Sequence, residues 1–201
     1  MAEPLPDAAL DRLFRTSRSY NGYLDTPVAE SDLRAIYDLM KFGPTAANQQ
    51  PVRIVWCVSQ EAKDRLAACA SATNAAKISK APVAVVLGMD LEFYEKLHKT
   101  FPHTDAKAWF MKKDGTPNEA AVEESAFRNS SLQGAYFLLA ARAVGLDVGP
   151  MSGFDAAKVD AAFFAGQPVK VNFIATLGHG DPASIFDRLP RLDFEEATRI
   201  A

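Results

Sequence analysis

The stretch Gly149-Pro150-Met151-Ser152-Gly153-Phe154-Asp155 decides how this chain is read. A continuous apolar helical pattern runs into it, and Asp155 opens a new helix. Two glycines and a proline in five residues let the backbone turn tightly and come close to a flat ligand. Ser152 and Gly153 carry no bulk that would keep their N–H groups from such a ligand. Taken alone, the stretch also suits an ordinary connection between two helices, so the flanking chain has to decide.

Upstream, residues 119–145 read as the longest helix, about 40 Å long. Its second half (Ala135, Phe137, Leu138, Leu139, Ala140, Ala141, Ala143, Val144) is apolar nearly all round. Such a helix is buried centrally or packs on another subunit. Downstream, Ala156 to Phe164 is a short helix and Val169 to Leu177 alternates as a strand does. Asp193 and Glu196 form a capping-box pattern for a short C-terminal helix. Toward the N-terminus, helices are expected over 7–17, from Ser31 as N-cap to Gly43-Pro44, over 60–71 and over 91–101. Ile54–Val58 and Val83–Leu87 are continuous apolar runs, as in strands buried on both faces. Asn74 to Lys80 is polar, and His103 to Asn118 is the least regular part, a candidate mobile lid. Strands and helices mix with no repeat, low-complexity tract or linker. The expectation is one domain over 1–201, of class α+β or α/β.

Composition narrows the function. The 201 residues are 48% hydrophobic and 23% charged, ordinary for a soluble globular protein. A net charge of -3 and the lack of any basic run argue against a nucleic-acid partner. No stretch approaches the ~18 consecutive apolar residues of a membrane span. The start, Met1-Ala2-Glu3-Pro4, lacks a signal-peptide pattern. Cys57 and Cys69 lie in apolar runs and read as two buried thiols, so the expected compartment is the cytoplasm.

Several motifs imitate chemistry. Gly178-His179-Gly180-Asp181-Pro182-Ala183 resembles a dinucleotide fingerprint, but Pro182 interrupts it and no βαβ unit fits in the chain that follows. It reads as a strand-exit turn. Ser152 and His179 suggest a hydrolase, yet the sequence around Ser152 is not G-x-S-x-G and no strand is expected to lead into it. His98 and His103 flank Pro102 and share no helix face, so no metal site is expected. Glu123-Glu124 reads as a solvated helix face. What is left is a set of loop-borne polar groups: Arg18-Ser19-x-Asn21, Thr45 to Asn48, Asn74-x-x-Lys77 and Arg188-Leu189-Pro190-Arg191. Together they supply what a phosphorylated heteroaromatic cofactor needs. Arginines and a hydroxyl bind phosphate, while Asn and Lys meet the polar edge of a flat ring.

With these groups in view, the chain resembles the nitroreductase family of flavin enzymes over nearly its whole length. Within that family it is similar to the short branch of malonic semialdehyde reductases, which act in pyrimidine degradation or 3-hydroxypropionate metabolism. The most specific run is Ala126-Phe127-Arg128-Asn129-Ser130-Ser131, then Gly145-Leu146-Asp147, then Gly149 to Asp155. Supporting runs are Lys41 to Asn48, Ala81-Pro82-Val83, Glu92-Phe93-Tyr94-Glu95 and Arg188 to Leu192.

The resemblance implies an α+β fold, with a central, mostly antiparallel sheet flanked by helices, in an obligate homodimer with FMN at the interface. It implies that Arg18, Ser19 and Arg191 hold the phosphate, with Asn21 standing where many relatives carry Lys or Arg. Pro44, Thr45, Ala46 and Asn48 would reach the flavin of the other subunit. Asn74 and Lys77 would face its pyrimidine edge, and Pro150, Met151, Ser152 and Gly153 would line the ring with a backbone N–H near N5. The implied reaction is a ping-pong transfer of hydride from NAD(P)H through N5 to malonic semialdehyde. The flavin does most of that chemistry, and no acid–base side chain is singled out. Arg128 and Arg53 are the candidate cations for the anionic substrate. The alternatives are a broad nitro- or quinone-reducing enzyme and a flavin-binding module without turnover.

Overall fold

The structure, a computed structural model, describes residues 3–201; Met1 and Ala2 of the acidic N-terminus lie outside them. In chain order the elements are α1 (Asp7–Leu10, continued as a π turn over Asp11–Arg15), α2 (Glu30–Met40), β1 (Val52–Cys57), α3 (Gln60–Ala67), α4 (Ala72–Lys80), β2 (Val83–Asp90), α5 (Leu97–Thr100), α6 (Glu119–Ala143), β3 (Asp147–Met151), α7 (Ala156–Phe163), β4 (Val169–Gly178) and α8 (Phe194–Ala197). The strands form one sheet in the order β1-β2-β4-β3. Every neighbouring pair is antiparallel, which settles the class as α+β.

The sheet is covered on both faces, and β2 shows why its sequence is a continuous apolar run: each of its residues is buried. Val83, Val85 and Leu87 point to one side, with Ile36 and Met40 of α2 and Phe137 of α6. Ala84 and Val86 point to the other, with Leu66 of α3, Ile78 of α4 and Val159 of α7. A third cluster (Phe93, Leu97, Ala106, Phe110, Val122, Ala126) lies under the excursion between β2 and α6. The irregular stretch after His103 therefore contains an anchored 3₁₀ turn, Ala106–Phe110, with Phe110 edge-on to Phe93 at 4.8 Å.

α6 lies across one face of the sheet at Gly134, where an added Cβ would stand 2.5 Å from the Phe173 ring. It ends in a Schellman motif. Gly145 takes φ 92°, the Leu146 N–H donates to the Ala141 carbonyl at 2.9 Å and the Gly145 N–H to Arg142 at 3.1 Å.

Four expectations need correction. The helical pattern does not run into Gly149: it stops at Ala143, and Asp147–Met151 is a strand. Gly and Pro disguise it, and Pro is tolerated because β3 is an edge strand with no ladder partner on its outer side. β1 is the opposite edge, so its run is only partly buried, and Val58 lies beyond it, exposed. The polar stretch from Asn74 is α4, a helix with Ile78 buried and Asn74 and Lys77 half-buried at the rim of that side. Finally, α2 begins at Glu30, because the Asp32 carboxylate accepts the Ala29 N–H at 3.0 Å and the N-cap is Ala29, two residues before Ser31. The capping box at Asp193 and Glu196 forms as expected.

Gly134→Val is expected to destabilise the fold by about 1–3 kcal/mol through overpacking against Phe173, read as a lower urea midpoint. Both cysteines are free and buried, and burial pushes the Cys57 thiol up to about 11. At pH 8 the native chain should therefore react slowly with Ellman's reagent, and the denatured chain should titrate two thiols.

Candidate functional site

β3 carries the site from end to end. At its start, Val148 bridges in parallel to Ser19. Gly149 has to be glycine, since a Cβ there would lie 2.7 Å from the Tyr20 carbonyl and 2.8 Å from Thr176 Oγ1. The Arg18-Ser19 segment thus runs along the open edge of β3. Beneath it Tyr23 is held by Thr176, whose Oγ1 is 2.8 Å from the phenol oxygen, and burial raises the Tyr23 pKa. Asn21 Nδ2 donates to the Ser184 carbonyl at 3.0 Å and draws the C-terminal segment over this edge. Arg18 donates to the Phe186 carbonyl, and Arg188 Nη2 donates to the Ser17 carbonyl at 3.0 Å.

These contacts enclose a cavity of about 750 Å³ lined by Arg18, Ser19, Arg142, Arg188 and Arg191, with Asp187 as the acidic group in its wall. None of the four arginines has a carboxylate within 4.0 Å among the described residues. Arg142 donates to the Leu13 carbonyl at 3.1 Å, its Nε is buried without a partner, and burial lowers its pKa against the pull of Asp147. Four guanidinium groups around one cavity, with Asp187 the one acidic side chain lining it among the described residues and no carboxylate in ion-pair contact, repel one another. An anion with several acceptor oxygens is what this cavity fits.

At its far end β3 runs out into Ser152 and Gly153, both exposed. Val148 and Gly153 are about 16 Å apart along an extended chain. The Gly153 carbonyl accepts the Ser71 N–H at 3.0 Å and Asn74 Nδ2 at 3.1 Å. A Cβ on Gly153 would stand 2.7 Å from that Asn74 nitrogen, so a larger residue would push the amide away from the Gly153 carbonyl. Asn74 and Lys77, three residues apart on α4, share the helix face turned to this end of β3. Among the described residues the Ser152 and Gly153 N–H groups donate to no carbonyl in the surrounding turns and loops, and the Ser152 hydroxyl makes no hydrogen bond. β3 does lead into Ser152, contrary to expectation, but no hydrogen bond joins Ser152 to His179 among the described residues, and two backbone donors are left without a carbonyl partner.

Pro44 to Asn48 lies at the opposite edge of the sheet, three inter-strand spacings or about 14 Å away. Ala47, Asn48 and Gln50 take φ of 47°, 49° and 48°, a conformation that costs a non-glycine residue about 1–3 kcal/mol. The Ala46 N–H points inward to Asn129 Oδ1 at 2.8 Å, so it is no donor to a ligand. Thr45 Oγ1 accepts the Gln50 N–H at 3.2 Å, and Asn48 Nδ2 donates to the Thr100 carbonyl at 2.8 Å. Both candidate substrate cations are already engaged: Arg53 with Asp90, which is buried, and Arg128 with Glu124 one turn away.

The sequence-derived residues thus fall into two sets on opposite sheet edges. Arg18, Ser19, Asn21, Asn74, Lys77, Pro150–Gly153 and Arg191 gather along β3, and Pro44–Asn48 with Arg53 and Arg128 gather elsewhere. Arg142 escaped notice because it sits in a helix read for its apolar residues. Asn129 and Gln133, buried amides on α6, were visible as polar residues in that same pattern. No group of three metal-ligating side chains occurs among the described residues.

Comparison with known proteins bears on the family and the fold. The sequence pattern of the nitroreductase family matches residues 14–179. A protein of Stenotrophomonas maltophilia strain R551-3, provisionally named NADH dehydrogenase/NAD(P)H nitroreductase, is 60% identical over 201 residues, 100% of both chains. One of the same provisional name from Xanthomonas oryzae pv. oryzae strain PXO99A is 57% identical over 200 residues, again 100% of both chains. Among solved structures, a provisionally assigned nitroreductase of Bacillus subtilis superposes with a TM-score of 0.83 at 23% identity, covering 98% of this chain and 100% of the other. Another from Exiguobacterium sibiricum, in complex with FMN, gives 0.81 at 18% identity with 100% of both chains covered. These two bear on the fold, which is nitroreductase-like. The chain belongs to the nitroreductase family.

Proposed function

We propose that the chain binds FMN, takes hydride from NAD(P)H and passes it to malonic semialdehyde, giving 3-hydroxypropionate. The observation that carries the cofactor is the sequence of groups along β3: a cavity with four arginines to one acidic side chain at one end, and two backbone donors without a carbonyl partner beside Asn74 and Lys77 at the other, among the described residues. A ligand with a phosphate, a chain and a flat ring matches that order. The names of the relatives and the FMN held by a solved neighbour support the choice. When bound, FMN supplies the atom that accepts and delivers hydride.

The chain's own part is to hold and to tune. Arg18, Ser19, Arg188 and Arg191 bind the phosphate, and Asn21 fastens their segment to Ser184. Ser152 and Gly153 offer N–H groups to the ring. Asn74, with Nδ2 engaged by Gly153, keeps its Oδ1 for a ring donor. Lys77 stabilises the negative charge that the reduced ring carries at its pyrimidine edge.

The loop Thr45–Asn48 is too far along the sheet to join this set within one copy. The exposed Phe127, Leu132 and Tyr136 on α6 are an apolar face suited to a second copy. Both facts support a homodimer in which each loop reaches its partner's FMN. No helix among the described residues is long and apolar enough to cross a membrane.

The substrate rests on the sequence resemblance. A second reading, reduction of nitroaromatics or quinones, is favoured by the relatives' names and by the pairing of Arg53 and Arg128 with carboxylates.

Purified protein should be yellow and release FMN on denaturation. Under anaerobic conditions NADPH or NADH should bleach it, and malonic semialdehyde should restore the oxidised spectrum faster than a nitroaromatic does. Faster reoxidation by the nitroaromatic selects the second reading, and flavin that no nicotinamide bleaches selects a module without turnover. Lys77→Ala should lower the flavin potential and slow hydride transfer about tenfold, or about 1.4 kcal/mol of barrier, with the thermal midpoint unchanged. An unaltered potential removes Lys77 from this role.

A further inference from the structure

The loop from Thr45 to Val52 is held in its left-handed shape by buried amides. Gln49 is 4% exposed and Asn129 is 2% exposed. Asn129 Oδ1 accepts the Ala46 N–H at 2.8 Å, while its Nδ2 donates to the Ser125 carbonyl at 2.9 Å and to Gln49 Oε1 at 3.2 Å. Ser125 Oγ donates to the same Gln49 oxygen at 3.0 Å. Two turns of helix further on, Gln133 Oε1 accepts the Val52 N–H at 3.0 Å. α6 thus grips the loop at three points: Ala46, the Gln49 side chain and Val52.

A connection from α2 to β1 does not need three left-handed, non-glycine residues. Left-handed geometry at Ala47, Asn48 and Gln50 persists only where the surroundings over-determine it, and here Asn129 does so. The position asks for an acceptor toward Ala46 and donors toward Gln49 and Ser125 at once. A carboxamide has both. Aspartate would lose the donors and bury a charge, and an aliphatic residue would leave Ala46 N–H without its acceptor.

We propose that Asn129, acting with Gln49, is a positioning residue for cofactor binding: it fixes the conformation in which Thr45 and Asn48 are presented to FMN. The proposal rests on the cofactor reading given above. Asn129 touches no ligand and acts through the loop. Asn48 also bonds Thr100, so the same grip sets where the excursion before α6 meets the loop.

The test compares wild type and Asn129→Ala by FMN titration, visible circular dichroism of the bound flavin and amide hydrogen exchange at Ala46. Expected for the variant are a Kd for FMN raised about tenfold, or about 1.4 kcal/mol, an altered flavin dichroism and faster exchange at Ala46. A variant with the wild-type Kd and dichroism overturns the proposal, whatever its thermal midpoint. If Asn129→Ala is not recovered folded, Gln49→Met carries the same test, because it keeps the side-chain volume and removes the shared acceptor. Wild-type protein that takes up no FMN overturns the cofactor reading instead.

Discussion

The arrangement depends on the antiparallel ladder that joins β3 to β4. Five residue pairs, from Asp147 with Gly178 to Met151 with Ile174, fix β3 as the last strand of the sheet. With its inner edge paired, the outer edge is free to take Ser19 beside Val148 and the Tyr20 carbonyl against Gly149. The same ladder aims Ser152 and Gly153 past the end of the strand toward α4. A one-residue slip would turn every β3 side chain to the other face. It would also separate Gly149 from Tyr20 and Gly153 from Asn74. Packing and recognition therefore share one register.

Two glycines show how tightly the two are joined. Gly149 lets a backbone segment cross the strand, and Gly153 lets a side-chain amide reach a carbonyl. Neither is a loose hinge. The sequence suggested that glycine at 153 makes room for a ligand; the structure shows that it first makes room for Asn74. A larger residue at 153 would displace that amide before it met any ligand.

Much of this was legible in the chain. The apolar run at Val83–Leu87 announced a strand buried on both faces, because a central strand has no wet side. Asp193 and Glu196 announced their own helix cap, because capping is local. What failed was non-local. Asp147–Met151 contains a glycine and a proline, and only its place at a sheet edge makes it a strand. β1 looked central and is an edge, since a run of apolar residues does not say how many neighbours it has. The loop with Arg18, the helix with Asn74 and the tail with Arg191 were each recognisable as polar, but their convergence is tertiary. Arg142 was hidden by reading the second half of α6 for its apolar residues, and the Asn129–Gln49 pairing joins a helix to a distant loop and is likewise tertiary. Two amides and an arginine standing among the apolar residues of one helix were the signal available.

The strand order constrains how any site on this fold is completed. β1 and β3 are the two edges, so residues delivered by the loop before β1 and residues along β3 are separated by the width of the sheet. On the proposed homodimer reading, a two-fold partner would bring its β1-side loop to the first copy's β3 edge and receive the reciprocal contact. On the proposed reading each cofactor is then held by one copy and covered by the other. The loop that does the covering has to be rigid before the partner arrives, since ordering it on contact would weaken assembly and binding together. The left-handed residues at Ala47, Asn48 and Gln50, locked from behind by Asn129, meet that requirement within the single chain.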